Sequence, residues 1–371
     1  MHILVTANAA WNIWNFRKAI VRNLISEGHA VTILSPADAS VADLEAIGCR
    51  FVPLEMSVKG LNPISDLALM RRFRRTFSAE RPDVVLSFTI KNNIYGAFAA
   101  RLAGIPFVPN VTGLGTAFLS GGLLQGVAKA LYWTAFSRLP VIFFQNEDDL
   151  DLFVKCRLIR SNQAHLLPGS GIDLVHFAAA PLPASEQSFS FLLVARLLRD
   201  KGVIEFVEAA RKIKASRSDV RFRLLGPIGS ENRTAIDLAT IRLWEEEGVV
   251  EYLGTSEDVR PYIEASTCVV LPSYREGAPR TLIEAASMGR PIIATDVPGC
   301  RAVVEDEKTG LLCEVRSSES LSRTMDRFLR LSQEARVAMG VAGRHKMERE
   351  FDERLVVEAY RDAIFRTAQG Q

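Results

Sequence analysis

Two carboxylates and a cluster of backbone amides fall within one short stretch, Val269 to Pro291 (VVLPSYREGAPRTLIEAASMGRP). Val269 to Pro272 is apolar, β-rich and short enough for a buried strand, and Pro279 sits where the first turn of a helix tolerates proline. Arg280 to Met288 then reads as helix. Arg280, Thr281 and Leu282 would so present free N–H groups at a helix N-terminus beyond the carboxyl end of a strand, a place suited to anions such as diphosphates. Glu276 in the loop and Glu284 inside the helix could accept hydrogen bonds from ligand hydroxyls while the amides hold a phosphate. The chemistry this suits is that of a sugar nucleotide. The alternative is plain: a Glu early in a helix often answers the helix dipole, and a loop Glu is often only solvated.

Other loops of the same half add to the stretch. Arg196 follows one expected strand and Lys201 begins the next helix, so two cations can face one diphosphate from two sides. Gly226, Pro227 and Gly229 follow another strand and let a planar base approach the backbone. Val297 to Arg301 (VPGCR) set a turn after a fourth. Each taken singly has a solvent-facing explanation. Four such loops on one sheet edge point to a ligand, because doubly wound sheets bind at that edge.

The elements that must position these residues follow from periodicity. His2 to Thr6 reads as a strand and Asn15 to Glu27 as a helix, with Asn15 as a possible cap and Gly28 at its end. The loop between them, NAAWNIWN, has no glycine, so the dinucleotide fingerprint is missing. Strands are expected at Val31–Leu34, Phe51–Leu54, Val84–Phe88, Phe107–Val111 and Val141–Phe144. In the second half they fall at Phe191–Ala195, Phe222–Leu225, Glu251–Leu253, Val269–Pro272 and Ile292–Thr295. Helices between them argue for parallel sheets covered on both faces. A Pro/Ala-rich segment, residues 178–188, reads as the linker between domains at 1–177 and 189–351, and a last amphipathic helix, Asp352 to Ala368, returns to the first domain as part of segment 352–371.

Composition sets the outer bounds. A chain of 371 residues is long for one domain, and 48% hydrophobic residues suffice for two cores. Lys and Arg number 45 against 43 Asp and Glu, so no global field argues for nucleic acid. Five scattered cysteines without a Cys-x-x-Cys pair disfavour a disulfide framework or a zinc site and fit a reducing cytoplasm. MHILVTANAA lacks a basic region followed by a long apolar core, so no signal peptide is expected. Asp149 and Asp151 are spaced like a metal-binding pair, but positions two apart on a helix diverge, so they read as surface charge.

Two stretches of the first half could meet a membrane. Arg71, Arg72, Arg74 and Arg75 surround Phe73 and precede Phe77, which suits either a lipid headgroup layer or a solvated helix whose Phe residues pack inward. Leu114 to Phe136 is long and apolar, yet Gly121, Gly122, Gln125, Gly126 and Lys129 interrupt it. A surface-lying loop and helix, or a helix buried on the sheet, fits better than a span.

Taken together, Arg196, Lys201, the E-x7-E pair Glu276 and Glu284 within EGAPRTLIE, and VPGCR resemble the retaining family-4 glycosyltransferases of the GT-B fold, over nearly the whole chain. The resemblance implies two Rossmann-like doubly wound parallel-sheet α/β domains facing a cleft. It implies that Arg196 and Lys201 hold the donor diphosphate, Glu284 the ribose hydroxyls, and Glu276 the transferred sugar, with amides of Gly277, Ala278, Pro279–Arg280 and Thr281 serving sugar and phosphate. WNIWNFRK, SFTIKNNIYG and VTGLGTAF resemble the bacterial subgroup that extends undecaprenyl-diphosphate-linked saccharides, including enzymes placing N-acetylgalactosamine on bacillosamine. By that likeness Lys91, Asn93, Thr112, Gly113, Gly115 and Thr116 face the acceptor, Asn15 and Arg17 lie near the donor phosphate or the cleft, and the enzyme works at the cytoplasmic membrane face. Neither cofactor nor metal is implied. Ala9, Ala10 and Trp11 depart from the glycine-rich first loop common in the family. A sugar-nucleotide epimerase, a phosphorylase, a non-catalytic sugar-nucleotide-binding subunit and a membrane protein acting through its Arg cluster are the rival readings.

Overall fold

The computed structural model describes residues 1–57, 62–114, 118, 122–183, 189–229, 232 and 234–368. The chain divides into two compact units, Met1–Gly171 with Glu353–Gln371, and Ile172–Asp352.

In the first unit seven parallel strands form one sheet: β1 (His2–Thr6), β2 (Ala30–Ser35), β3 (Arg50–Pro53), β4 (Val84–Phe88), β5 (Phe107–Val111), β6 (Ile142–Phe144) and β7 (Ala164–Leu166), in the order β3-β2-β1-β4-β5-β6-β7. β4 and β5 are buried at every position, which is why they read as unbroken apolar runs rather than alternating ones. The C-terminal helix Glu353–Ala368 closes one face. Its Tyr360 lies 4.7 Å from the Phe143 ring, and its hydroxyl accepts a 2.8 Å bond from Asn110 Nδ2. The first helix runs Ala10–Ser26, five residues ahead of expectation, and its N-cap is Ala9. Asn15 therefore caps nothing: it sits in the second turn, exposed, donating to Trp11 O at 3.0 Å.

The second unit repeats the design with β8 (Ser190–Val194), β9 (Arg221–Leu225), β10 (Glu251–Tyr252), β11 (Cys268–Leu271), β12 (Ile292–Thr295) and β13 (Gly310–Cys313), ordered β10-β9-β8-β11-β12-β13 and parallel throughout. In both sheets the order reverses beside the first strand of the unit, between β1 and β4 and between β8 and β11. The carboxyl ends of those strands are where such sheets leave a crevice.

The handover between units falls at Gly171–Ile172, ahead of the expected linker. Ile172 and Phe177 are buried in the second unit's core with Leu282 and Val303. Residues 178–183 are held there as well, and 184–188 lie outside the described residues. The anchor is Arg290, which is fully buried and donates to Ala180 O (3.0 Å), Pro181 O (2.8 Å), Ile263 O (3.1 Å) and Glu264 O (3.1 Å). Four carbonyls satisfy a charge that burial alone would make costly, though burial still pulls its pKa down to about 10.

Of the apolar stretch 114–136, residues 115–117 and 119–121 lie outside the described residues. Helix Gly122–Phe136 sinks Tyr132, Ala135 and Phe136 into a core with Phe118 and Phe153, leaving Leu124, Val127 and Trp133 exposed. No described helix is long and apolar enough to cross a membrane.

Candidate active site

In the second unit the carboxyl-edge loops are fastened to one another by backbone amides and threonine hydroxyls. Leu197 N donates to Pro227 O at 3.1 Å, Tyr274 N to Asp200 O at 2.9 Å, and Thr281 Oγ1 to Val194 O at 3.0 Å. Thr295 Oγ1 reaches Ser273 O at 2.5 Å. The loops after β8, β9, β11 and β12 thus form one assembly, which brings Lys201, Gly226, Pro227 and Gly277 to Thr281 together. Three glycines permit the closeness: a Cβ on Gly226 would lie 1.9 Å from Ala195 O, one on Gly202 2.1 Å from Pro272 O, and one on Gly299 2.5 Å from the carbonyls of Glu276 and Gly277.

At the centre Lys201 Nζ meets Glu276 Oε1 at 2.5 Å, with side chains 23% and 12% exposed. Lys201 does not begin a helix. It ends a 3-10 turn, Arg199–Lys201, and Gly202 at φ 73° turns the chain into helix Val203–Lys214. That turn points the lysine back across the sheet edge instead of along a helix face. Arg196, at the start of the same loop, is exposed and makes no ion pair among the described residues.

Helix Arg280–Ser287 starts one residue later than Pro279, which is its N-cap and lies outside the first turn. Leu282 has no free amide, because it donates to Pro279 O at 3.0 Å. VPGCR is likewise more than a turn: Pro298–Val303 is a short helix whose Gly299 lies under the Glu276–Gly277 carbonyls. Glu284 is 9% exposed and bonds Arg280 Nε at 2.9 Å. Burial outweighs that partner and lifts its carboxyl above the ordinary 4.5.

A carboxyl raised in the folded state binds its proton more tightly there than when unfolded. Its stabilising contribution is therefore full below about pH 4.5 and is lost as pH climbs through the raised value. Glu284→Gln, which has nothing to titrate, should gain stability over wild type progressively as pH rises above about 4.5. Urea midpoints across that range check this; a flat difference would mean that Arg280 compensates the burial.

Tyr274 was not foreseen. Its hydroxyl donates to Glu205 at 2.7 Å and the Arg316 guanidinium covers its ring at 4.7 Å, so it walls the loop that carries Glu276. Burial and Glu205 push its hydroxyl up to about 12. The sequence signal was only adjacency to Glu276, since Glu205 and Arg316 are remote in the chain.

The first unit holds its own cavity, of about 310 Å³, at the carboxyl edge where the strand order reverses, lined by Asn8, Met56, Thr89, Lys91, Thr112 and Gly113 among others. Lys91 is braced by Asp66 (2.8 Å), whose other oxygen accepts from Tyr95 (2.9 Å). Thr89 adopts φ 73°, strain that a non-glycine residue carries only where its surroundings impose it. Asn93 does not face this cavity: it is 1% exposed and donates to Asn110 O at 2.7 Å. Arg17 is also interior, 4% exposed with its guanidinium 4.4 Å over the Phe88 ring. Gly115 and Thr116 lie outside the described residues.

Of the remaining charges, Asp149 is not surface charge. It is 1% exposed, its amide bonded to the Asn146 cap at 2.8 Å, while Asp151 points outward to Lys155. Arg71, Arg72, Arg74 and Arg75 are exposed on helix Pro63–Glu80, over buried Phe73 and Phe77. Arg72 pairs with Glu55 at 3.1 Å.

Comparison with known proteins assigns both halves. Residues 177–346 match the family "Glycosyl transferases group 1" and residues 13–169 the "Glycosyl transferase 4-like domain". The N,N'-diacetylbacillosaminyl-diphospho-undecaprenol alpha-1,3-N-acetylgalactosaminyltransferase of Campylobacter jejuni is 26% identical over 97% of both chains. The UDP-Gal:alpha-D-GlcNAc-diphosphoundecaprenol alpha-1,3-galactosyltransferase of Escherichia coli is 28% identical over 76% of this chain and 75% of its own. Among solved structures, a glycosyltransferase from Rickettsia africae superposes with TM-score 0.80 at 18% identity over 100% of this chain and 99% of its own. HepE from Anabaena in complex with UDP does so with TM-score 0.80 at 16% identity over 98% and 99%. With two parallel-sheet Rossmann-like units and both halves matched, the chain belongs to the family-4 glycosyltransferases of the GT-B fold.

Proposed function

We propose that the protein transfers a hexose or N-acetylhexosamine, with retention, from a UDP-sugar to a polyprenyl-diphosphate-linked saccharide at the cytoplasmic membrane face, in assembly of a bacterial glycan. The observation that carries this is Lys201 joined to Glu276 beside Glu284 and the Gly277–Thr281 loop: a cation, two carboxylates and backbone donors on one sheet edge. The names of the two relatives above support the acceptor class, and that of the Escherichia coli relative the UDP donor.

In the proposed step the anomeric C–O bond to the diphosphate breaks and a bond to an acceptor hydroxyl oxygen forms on the same face. The hydroxyl proton passes to the departing phosphate oxygen. Lys201 and Arg196 take up the charge developing on the diphosphate, while Glu276 holds sugar hydroxyls and Glu284 the ribose. Gly226 and Pro227 leave room for the base. No cofactor enters this scheme, and the charge at the leaving group is met by side chains and amides rather than a metal. Lys91, Thr112 and Gly113 receive the acceptor in the first unit's cavity. Ligand linkage tests the reading: a bound nucleotide sugar at a hundred times its Kd adds about 2.7 kcal/mol of stability. Among UDP-, GDP- and dTDP-sugars, UDP-N-acetylhexosamines should raise the melting temperature most, and release of UDP should require the lipid-linked acceptor. UDP release at the same rate without acceptor would refute transfer.

Exposed Arg71, Arg74 and Arg75 are proposed to meet anionic headgroups. Replacing all three by Glu should abolish co-sedimentation with phosphatidylglycerol vesicles at low salt while sparing turnover of a short-chain soluble acceptor. Unchanged sedimentation would remove that role.

A further inference from the structure

A second cavity system occupies the opposite edge of the first unit's sheet. Because all seven strands are parallel, the residues that precede β5, β6 and β7 lie at the amino edge, across strands of three to five residues from the Lys91 cavity. At about 3.3 Å per residue that is roughly 10–16 Å of sheet. One hollow there measures about 660 Å³ and a neighbour about 370 Å³, and they share Arg138, Leu139 and Pro140.

Their charge is one-sided. Arg138, Arg160, Arg366 and His165 line the larger hollow and Arg101 the smaller, and among the described residues no Asp or Glu lines either. Some arginines elsewhere in the unit take carboxylate partners, as Arg50 does with Glu80 at 2.8 Å and Arg72 with Glu55 at 3.1 Å. Arg138, Arg160 and Arg366 form no ion pair among the described residues. Arg101 is committed otherwise: it donates to Thr134 O (2.6 Å) and Ala135 O (2.8 Å), carbonyls near the end of helix Gly122–Phe136, where a cation is favoured. The crowding is felt within the cluster. Burial and the Arg366 charge hold the His165 imidazole below its usual range, and burial and Arg138 pull Arg101 down.

The frame beneath is fixed. Gln163 is 6% exposed and donates to Phe136 O at 3.2 Å and to Leu139 O, while its Oε1 accepts from Arg160 N at 2.7 Å. One amide thus ties the turn before β7 to the turn before β6, so the arginines spring from a preset backbone. Phe107 and Val141 supply an apolar floor. Like charges gathered without counterions cost stability unless an anion returns it, and guanidinium forks match phosphate oxygens two at a time.

We propose that this amino-edge hollow is a binding site for a phosphate-bearing anion, separate from the loops that hold Lys201 and Lys91. The ligand chemistry is a phosphate mono- or diester, free in solution or as the headgroup of a lipid. The site stands whether or not the transferase reading does.

The test uses the full chain carrying Lys201→Ala, so that the second unit's site cannot report. Calorimetric titration with inorganic pyrophosphate at low salt should show binding that Arg138→Ala or Arg366→Ala each weakens about tenfold, roughly 1.4 kcal/mol. Arg138→Glu/Arg366→Glu should abolish it, Arg138→Lys should restore part of it, and circular dichroism should stay unchanged throughout. Phosphatidylglycerol vesicles form the second arm, with Arg71, Arg74 and Arg75 replaced by Glu to silence that helix. Binding of pyrophosphate places the anion in solution; binding of vesicles alone, lost in the double charge reversal, makes it a lipid headgroup. Equal binding by parent and charge-reversed chains, or binding of neither probe, overturns the site.

Discussion

Lys201→Ala and Glu276→Ala should each lower kcat by about a hundred- to a thousandfold, the range seen when one preorganised partner of a developing charge is removed. The two side chains meet at 2.5 Å and are only partly exposed, so each is held in position by the other before any ligand arrives. A phosphate entering beside Lys201 would weaken that pairing and free Glu276 for a sugar hydroxyl. Each therefore works most when charge moves, and kcat and kcat/KM should fall together. Each alanine variant should also lose stability, because it leaves the other, mostly buried, charge without its partner. Glu276→Gln separates the roles: it keeps a hydroxyl acceptor but loses the charge that steadies Lys201, and should fall between wild type and Glu276→Ala. Single-turnover release of UDP with saturating acceptor is the measurement. Near-wild-type rates for both alanine variants would move the reaction away from this sheet edge.

What the sequence made legible was whatever depends on neighbours in the chain. Strand runs such as Val84–Phe88 and Phe107–Val111 coincide with β4 and β5 because burial on both faces leaves an unbroken apolar signature. The EGAPRTLIE stretch could be placed on a strand-loop-helix unit for the same reason. What stayed hidden depends on contacts between distant segments. Asp66 stands 25 residues before Lys91 and nothing local announces the pair. The family resemblance puts Arg17 near the donor phosphate or the cleft, yet the first helix starts at Ala10 and turns that residue inward over Phe88. The same resemblance puts Asn93 on the acceptor side, but its partner is the Asn110 carbonyl. The handover at Gly171–Ile172 was masked by a Pro/Ala-rich composition that suits a linker, because the four carbonyl contacts of Arg290 come from another part of the chain. β13 (Gly310–Cys313) carries too little apolar length to stand out and is defined by its pairing with β12.

Gly202→Ala should be strongly damaging, for two separable reasons. The residue holds φ 73°, and its missing Cβ leaves room for Pro272 O, which an added methyl would approach to 2.1 Å. The first effect, left-handed backbone in a residue with a Cβ, costs about 1–2 kcal/mol. Gly248 isolates it, since it has φ 69° with nothing within 4 Å of an added Cβ. Gly248→Ala should therefore lose only that amount. Gly202→Ala must in addition push the end of β11 away from the loop after β8, a rearrangement of a packed backbone that costs typically 1–3 kcal/mol more. The displacement falls on the connection that sets Lys201 against Glu276, so the stability loss should come with a loss of transfer close to that of Lys201→Ala. Paired urea denaturation of the two glycine variants, with turnover measured on each folded form, resolves the terms. If Gly202→Ala cost no more than Gly248→Ala and kept its rate, the close approach of β11 to the Lys201 turn would have no part in shaping the site.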